Sequence, residues 1–197
     1  MPIIGYQGDN FSILGPFISY DFLKMPAIEL SIKLAPRFQG FDDSDSPIFE
    51  NMAERKLSMD AGLGLTYEKE DWKFTLSGMF DIFNRSNGYE AKANIARIFR
   101  QGPVFIEPSL SFSYLDSNHV DYYYGIEANE INASTTAYQG ESAINTTLGF
   151  SITTMMFFGG ISQLSFDYTW YDSAITNSPL VDKDTNLGAL ILFSKFF

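Results

Sequence analysis

The 197-residue chain has no cysteine, one histidine, and 13 Lys and Arg against 24 Asp and Glu. Each shortage removes a class of chemistry. Without cysteine there is no disulfide framework and no thiolate metal site. A lone histidine excludes a multi-histidine metal centre. A net charge of -11 with no cluster of Lys or Arg argues against nucleic acid, because phosphate binding needs clustered cations. No apolar run approaches the ~20 residues a membrane helix requires, so any crossing of a membrane falls to strands. Met1 leads straight into Pro2-Ile3-Ile4-Gly5-Tyr6 with neither a basic nor an apolar signal region, and the start is therefore expected to be truncated or processed.

Aromatic residues are plentiful. They make up 16% of the chain, with 19 Phe and 11 Tyr, which suits a protein that sets large amphipathic side chains at two interfaces. The chain reads as period-two segments separated by turn signals, with no convincing helical period. Ile28, Leu30, Ile32, Leu34 and Pro36 alternate with Glu29, Ser31, Lys33, Ala35 and Arg37. The same pattern recurs in Leu57 to Tyr67, Trp72 to Ile82, Ile106 to Tyr114 and Leu164 to Trp170. It is weakest in Tyr89 to Phe99, where Arg97 falls on the apolar side, and in Phe11 to Leu23, where Gly15-Pro16 blurs it.

About ten segments qualify, and the connections between them alternate between tight and long. The tight ones are Lys24-Met25, Glu68 to Asp71, Arg100 to Gly102 and Phe157 to Gly160. The long ones include Gln39 to Lys56 and Asp116 to Glu141. Short turns at one end and long loops at the other are the layout of an outer-membrane barrel, whereas Greek-key crossings of a sandwich have no reason to keep that parity. An even count places both ends of the chain on the short-turn side. The closing run, Leu187 to Phe197, is apolar and ends on Phe197, and it resembles the last strand of outer-membrane barrels, with Lys195 and the inner Leu190, Leu192 and Phe196 as departures. The expected fold is all-β: one antiparallel transmembrane up-and-down β-barrel over residues 1–197, monomeric, with ten to twelve strands in the intact protein.

Several stretches in order carry a family resemblance. They are Pro2-Ile3-Ile4-Gly5-Tyr6, Asp45-Ser46 with Asn51-Met52-Ala53-Glu54-Arg55, Asp81 with Arg85-Ser86-Asn87-Gly88, and Asp121-Tyr122-Tyr123-Tyr124-Gly125-Ile126. Together they resemble the MipA/OmpV family of outer-membrane proteins, the MltA-interacting protein family. The resemblance implies a non-enzymatic scaffold in the outer membrane of a Gram-negative bacterium, linked to peptidoglycan synthesis and turnover. It implies as partners a murein lytic transglycosylase and a penicillin-binding protein, beside outer-membrane lipid and lipopolysaccharide, and no cofactor. A porin-like channel for small solutes is the rival reading.

The candidate residues fall into two sets. Asp121, Tyr122, Tyr123, Tyr124 and Gly125 form a possible partner-contact loop, since tyrosines are favoured anchors; continuation of the aromatic girdle is the alternative. Glu29, Lys33, Arg37, Asp60, Lys73, Asp81, Glu90, Lys92, Glu107 and Asp167 face inward on alternation, and their mixed signs are expected to pair into a polar network in the lumen. His119 lies in the Asp116 to Glu141 connection without Ser-x-His spacing and is expected to be solvated, which argues against a triad hydrolase. Asp42, Asp43 and Asp45 lack the glycine and distal Glu of a calcium loop and read as a solvated acidic loop, with divalent ions bridging it to lipopolysaccharide as the alternative.

Overall fold

The computed structural model describes residues 5–155 and 160–194. Pro2 to Ile4, Met156 with most of the turn that follows, and the terminal Lys195-Phe196-Phe197 lie outside the described residues. The strands are β1 (Gly5–Gln7), β2 (Phe11–Leu14), β3 (Phe17–Lys24), β4 (Ile28–Arg37), β5 (Ser58–Lys69), β6 (Trp72–Asp81), β7 (Tyr89–Arg97), β8 (Phe99–Gln101), β9 (Val104–Leu115), β10 (Ala143–Thr154), β11 (Ile161–Trp170) and β12 (Thr185–Ser194). They form one antiparallel sheet in chain order, β8 lying off the main path as a partner of β9. This is the up-and-down barrel wall the alternation predicts. Among the described residues no ladder joins β12 to β1.

Two details differ from the expected count. The segment Phe11 to Leu23 is two strands, because Gly15 at φ 58° followed by Pro16 makes a two-residue turn that pairs Leu14 with Phe17. A positive φ at the first turn position and proline's fixed negative φ at the second are the signs of a type II′ hairpin. The added reversal means that β1 runs toward the short-turn end, not away from it. The second difference is the break between β7 and β8, which keep one register: Ala96 faces Ser109 and Phe99 faces Ile106. Arg97 therefore stands opposite Pro108, which has no N–H to give, and the ladder lapses there.

Register fixes the faces. Ile32, Leu63, Gly78, Ala91, Tyr114 and Ile144 lie in one row across β4, β5, β6, β7, β9 and β10, pointing outward. Leu63, Ile144, Leu187 and Ile191 on this face are 60%, 54%, 68% and 82% exposed. Soluble monomers seldom expose contiguous apolar patches above ~300–600 Å², so a face this greasy over so many strands requires lipid. Among the described residues no helix is long and apolar enough to cross a membrane. The long strands have 9 to 12 residues, enough for the ~9–11 that a tilted β-crossing takes. Aromatic rows mark both rims: Phe80, Tyr89 and Tyr114 stack in series near the long loops, and Tyr67, Phe74 and Trp72 near the short turns.

The buried apolar cluster gathers at one end of the wall. Leu115, Val120, Ala143 and Ile175 form the buried apolar cluster, with Tyr124, Tyr171, Ala174 and Val181 against it. All sit at the long-loop end.

Candidate functional site

That end is closed by a cap. Its centre is α1 (Ser117–Tyr124), a helix inside the Asp116 to Glu141 connection where the sequence pattern predicts loop. Ser, Asn, His, Val, Asp and Tyr are indifferent helix formers, so the helix depends on its ends and its packing. Asp116 caps it, accepting from the His119 amide at 3.1 Å while also taking the Tyr89 amide at 2.9 Å. One carboxylate thereby starts the helix and ties it to the rim of β7. At the far end the Gly125 amide donates to the Asp121 carbonyl. The following loop lies on the helix backbone: a Cβ on Gly140 would come 2.4 Å from the Asp121 nitrogen. Gly140→Val is accordingly expected to lift this loop and destabilise the cap by about 1–3 kcal/mol, the usual cost of overpacking, read as faster amide exchange at Ile126 and Tyr138, whose paired hydrogen bonds it would break.

A second loop joins from the side. Between β4 and β5 a short 3-10 turn, Pro47–Phe49, stacks Phe49 on Phe41 at 4.1 Å. Arg55 then enters the cap. Its guanidinium meets Glu130 with two bonds, Nη1 to Oε1 at 2.8 Å and Nη2 to Oε2 at 2.7 Å, and its Nε donates to the Tyr122 carbonyl at 2.7 Å. Glu130 also accepts the amides of Ala53 and Glu127 at 2.9 and 3.0 Å. Although burial alone would raise it, these donors and the Arg55 charge hold the Glu130 carboxyl down at about 2. Asn132 completes the seam by donating to the carbonyls of Ile48 and Glu50. A third piece, α2 (Ser173–Thr176) between β11 and β12, is capped by Asp172 and buries Ile175. The Ser178 hydroxyl donates to the Tyr124 carbonyl at 2.6 Å, and the Tyr138 hydroxyl to that of Ala174 at 2.9 Å.

The candidate contact residues are divided by this packing. Tyr123 is 3% exposed and Gly125 is buried, both inside the cap; burial pushes the Tyr123 and Tyr124 phenols up to about 12. Asp121 and Tyr122 line an outward cleft of about 610 Å³ together with Asn118, Gly125, Glu127 and Tyr138. His119 is not solvated. It is 1% exposed, with Nε2 at 3.0 Å from Gln39 Oε1 and its ring against Tyr123. Burial first, and the nearby Arg37 charge second, lower its pKa to about 3, so it is neutral.

Below the cap, the inward residues sort by height. Arg37 pairs through Nε with Asp60 at 2.8 Å and through Nη2 with Glu90 at 3.0 Å, spanning from β4 to β7 across the interior. The Ser113 hydroxyl supports Glu90 at 3.2 Å. Asp81 turns away from this group to organise its own loop, accepting the Ser58 hydroxyl and the amides of Phe83, Arg85, Ser86 and Asn87. Lys33 and Lys92 face a lumen cavity of about 540 Å³ beside Glu90. Near the short turns Lys73 lies 3.7 Å from Glu68, and Lys24 bridges Asp21 at 2.9 Å and Glu29 at 4.0 Å. Glu107 and Asp167 have no ion-pair partner among the described residues. In the acidic loop Asp42 accepts from the Ser44 amide and hydroxyl; no carboxylate cluster there or elsewhere among the described residues is arranged to hold a metal.

The sequence reading missed Arg55, Glu130, Gln39, Asp116 and Asp172. Asp116 and Asp172 carried a local signal, an Asp two or three residues ahead of an amide it could cap. Arg55 stood only within a family-resemblance stretch, and nothing signalled its pairing with Glu130, 75 positions away.

Comparison with known proteins matches residues 1–197 to the model of a family described as MltA-interacting protein MipA. Among curated relatives, the putative outer membrane protein YiaT of Escherichia coli K12 is 27% identical over 192 residues, covering 93% of this chain and 76% of the relative. OmpV of Vibrio cholerae is 25% identical over 180 residues, 90% and 70% of the two chains. The MltA-interacting protein of Escherichia coli K12 is 26% identical over 189 residues, 93% and 75%. No solved structure matches.

Proposed function

Because this chain belongs to the MltA-interacting protein MipA family, whose relatives are named as outer membrane proteins of Gram-negative bacteria, we propose that it is a membrane-anchored scaffold for murein enzymes. Its one barrel domain would hold a lytic transglycosylase of the MltA kind at the outer membrane, and through it a penicillin-binding synthase. The name of the Escherichia coli relative supports the partner. The capped lumen supports the role. A mouth closed by a lid with its own apolar cluster and a doubly bonded Arg55–Glu130 pair serves anchorage better than solute flow. The names of the relatives, none of them an enzyme's, support a non-enzymatic role.

Topology supports a periplasmic docking place for such a partner. Outer-membrane barrels keep their short turns in the periplasm and their long loops outside, so a murein enzyme meets Met25 to Ala27, Glu70-Asp71 and the β8–β9 hairpin, not the cleft beside Asp121 and Tyr122. The test pairs planar-bilayer conductance with capture of purified transglycosylase by the detergent-solubilised barrel. Silence in the bilayer and capture that is lost on replacing Arg100-Gln101-Gly102, yet kept in Tyr122→Ala, is the expected result. Stable open steps without capture would overturn the reading in favour of a channel.

A further inference from the structure

Arg97 is the residue that broke the alternation, and the register places it on the lipid face. It stands opposite Trp72, and Trp72 opposite Lys69, in one outward row that ends a residue short of the Glu70-Asp71 turn. The Arg97 guanidinium lies 5.3 Å from the Trp72 ring centre and 5.1 Å from that of Phe99. Among the described residues no carboxylate pairs with it. Directly inboard of this row, Tyr67, Phe74 and Ile95 line a recess of about 450 Å³ whose rim carries Lys69, Trp72 and also the Glu70 carboxylate.

Two cations flanking an indole at the membrane boundary, above an apolar recess, match one kind of molecule. We propose that this is a binding site for a phospholipid of the inner leaflet, with its anionic phosphate on Arg97 and Lys69 and one acyl chain in the recess. A charge on the lipid face is costly at the midplane and nearly free near the interface. Position alone therefore makes Arg97 tolerable, but not useful. The two rings fix its plane by cation–π contact and strip part of its hydration, leaving N–H groups free for the forked geometry that suits phosphate oxygens. Lys69 adds a point charge on the other side of Trp72. Glu70 repels the phosphate, and it sits on the turn, farther out than either cation. The site rests on the placement of the barrel in a membrane and not on the partner proposed above, so the two fail separately.

The test is native mass spectrometry of the detergent-purified barrel with three probes: phosphatidylglycerol, diacylglycerol of the same chains, and inorganic phosphate. Retention of phosphatidylglycerol, no retention of diacylglycerol and no displacement by phosphate is the expected result. Arg97→Gln and Lys69→Gln are each expected to weaken retention about fivefold, the factor that follows from ~1 kcal/mol per basic residue near an anionic surface. Arg97→Lys should restore part of it. Arg100→Gln, which removes a cation at the same rim that is already paired with Asp71, should leave retention unchanged. Heat-modifiable gel migration shows that each variant is folded. Equal retention of diacylglycerol, displacement by free phosphate, or folded Arg97→Gln that keeps phosphatidylglycerol as the parent does would each overturn the proposal.

Discussion

Glu130→Gln is expected to unlatch the cap while leaving the wall intact. The Arg55 and Glu130 side chains are 9% and 4% exposed, and among the described residues Glu130 is the carboxylate that forms an ion pair with Arg55. Neutralising it leaves a buried guanidinium uncompensated, a change that costs about 3–5 kcal/mol in comparable pairs. Amide exchange in α1 and around Ile126 and Tyr138 should then rise by about two to four orders of magnitude, with exchange in β5 and β6 unaltered. Replacing both partners, Arg55→Met with Glu130→Leu, should recover most of the loss, because desolvating two charges offsets much of what their attraction gains. If the single variant exchanges as the parent does, the pair is not what holds the lid. The sign with pH follows from the depressed carboxyl: the contribution is complete above the ordinary value of 4.5 and is lost as pH falls from there toward about 2.

The second large effect lies at milder acidity. His119 is held neutral down to about 3, against 6.5 when exposed. Between those values the unfolded cap binds a proton that the folded cap refuses, so cap stability is full above pH 6.5 and declines on acidification by ~1.4 kcal/mol per unit. From pH 7 to 4.5 the loss is about 3 kcal/mol, in a window that ends where Glu130 begins to titrate. The groups that face the ring are Gln39, Tyr123, Arg37 and Asp81. Arg37 opposes protonation and Asp81 favours it, so burial decides the outcome. His119→Gln removes the titration and should flatten the pH dependence of cap exchange across this window. Parallel slopes for variant and parent would show that the histidine is not the source.

How much of this was legible follows from the range of each interaction. Strands β4, β5, β6, β9 and β11 follow from alternation alone, because a lipid-facing wall enforces period two at every position. The hairpin at Gly15-Pro16 was visible as a disturbance and not as a reversal, since four residues in β2 are too few to show a period. Helix α1 was hidden for a different reason. Of its buried residues, His119 bonds to Gln39 of the β4–β5 connection while Val120 packs in the cluster with Ile175 of α2, so no single apolar stripe marks a face. Within the lumen, composition told which residues point inward, but pairing depends on distances across the interior: Arg37 reaches Glu90 three strands away, while Asp81, its equal in the sequence, is spent on a turn.

The tight cluster around Val120 and Ile175 lies beyond the hydrocarbon, in water, while the wall beneath it is solvated by acyl chains. One polypeptide thus answers to two solvents at once. Cooling, salt and acidity act on the lid through ordinary aqueous thermodynamics, whereas bilayer thickness and fluidity govern the wall, and the rim where Asp116 grips the Tyr89 amide is the boundary at which the two regimes must agree.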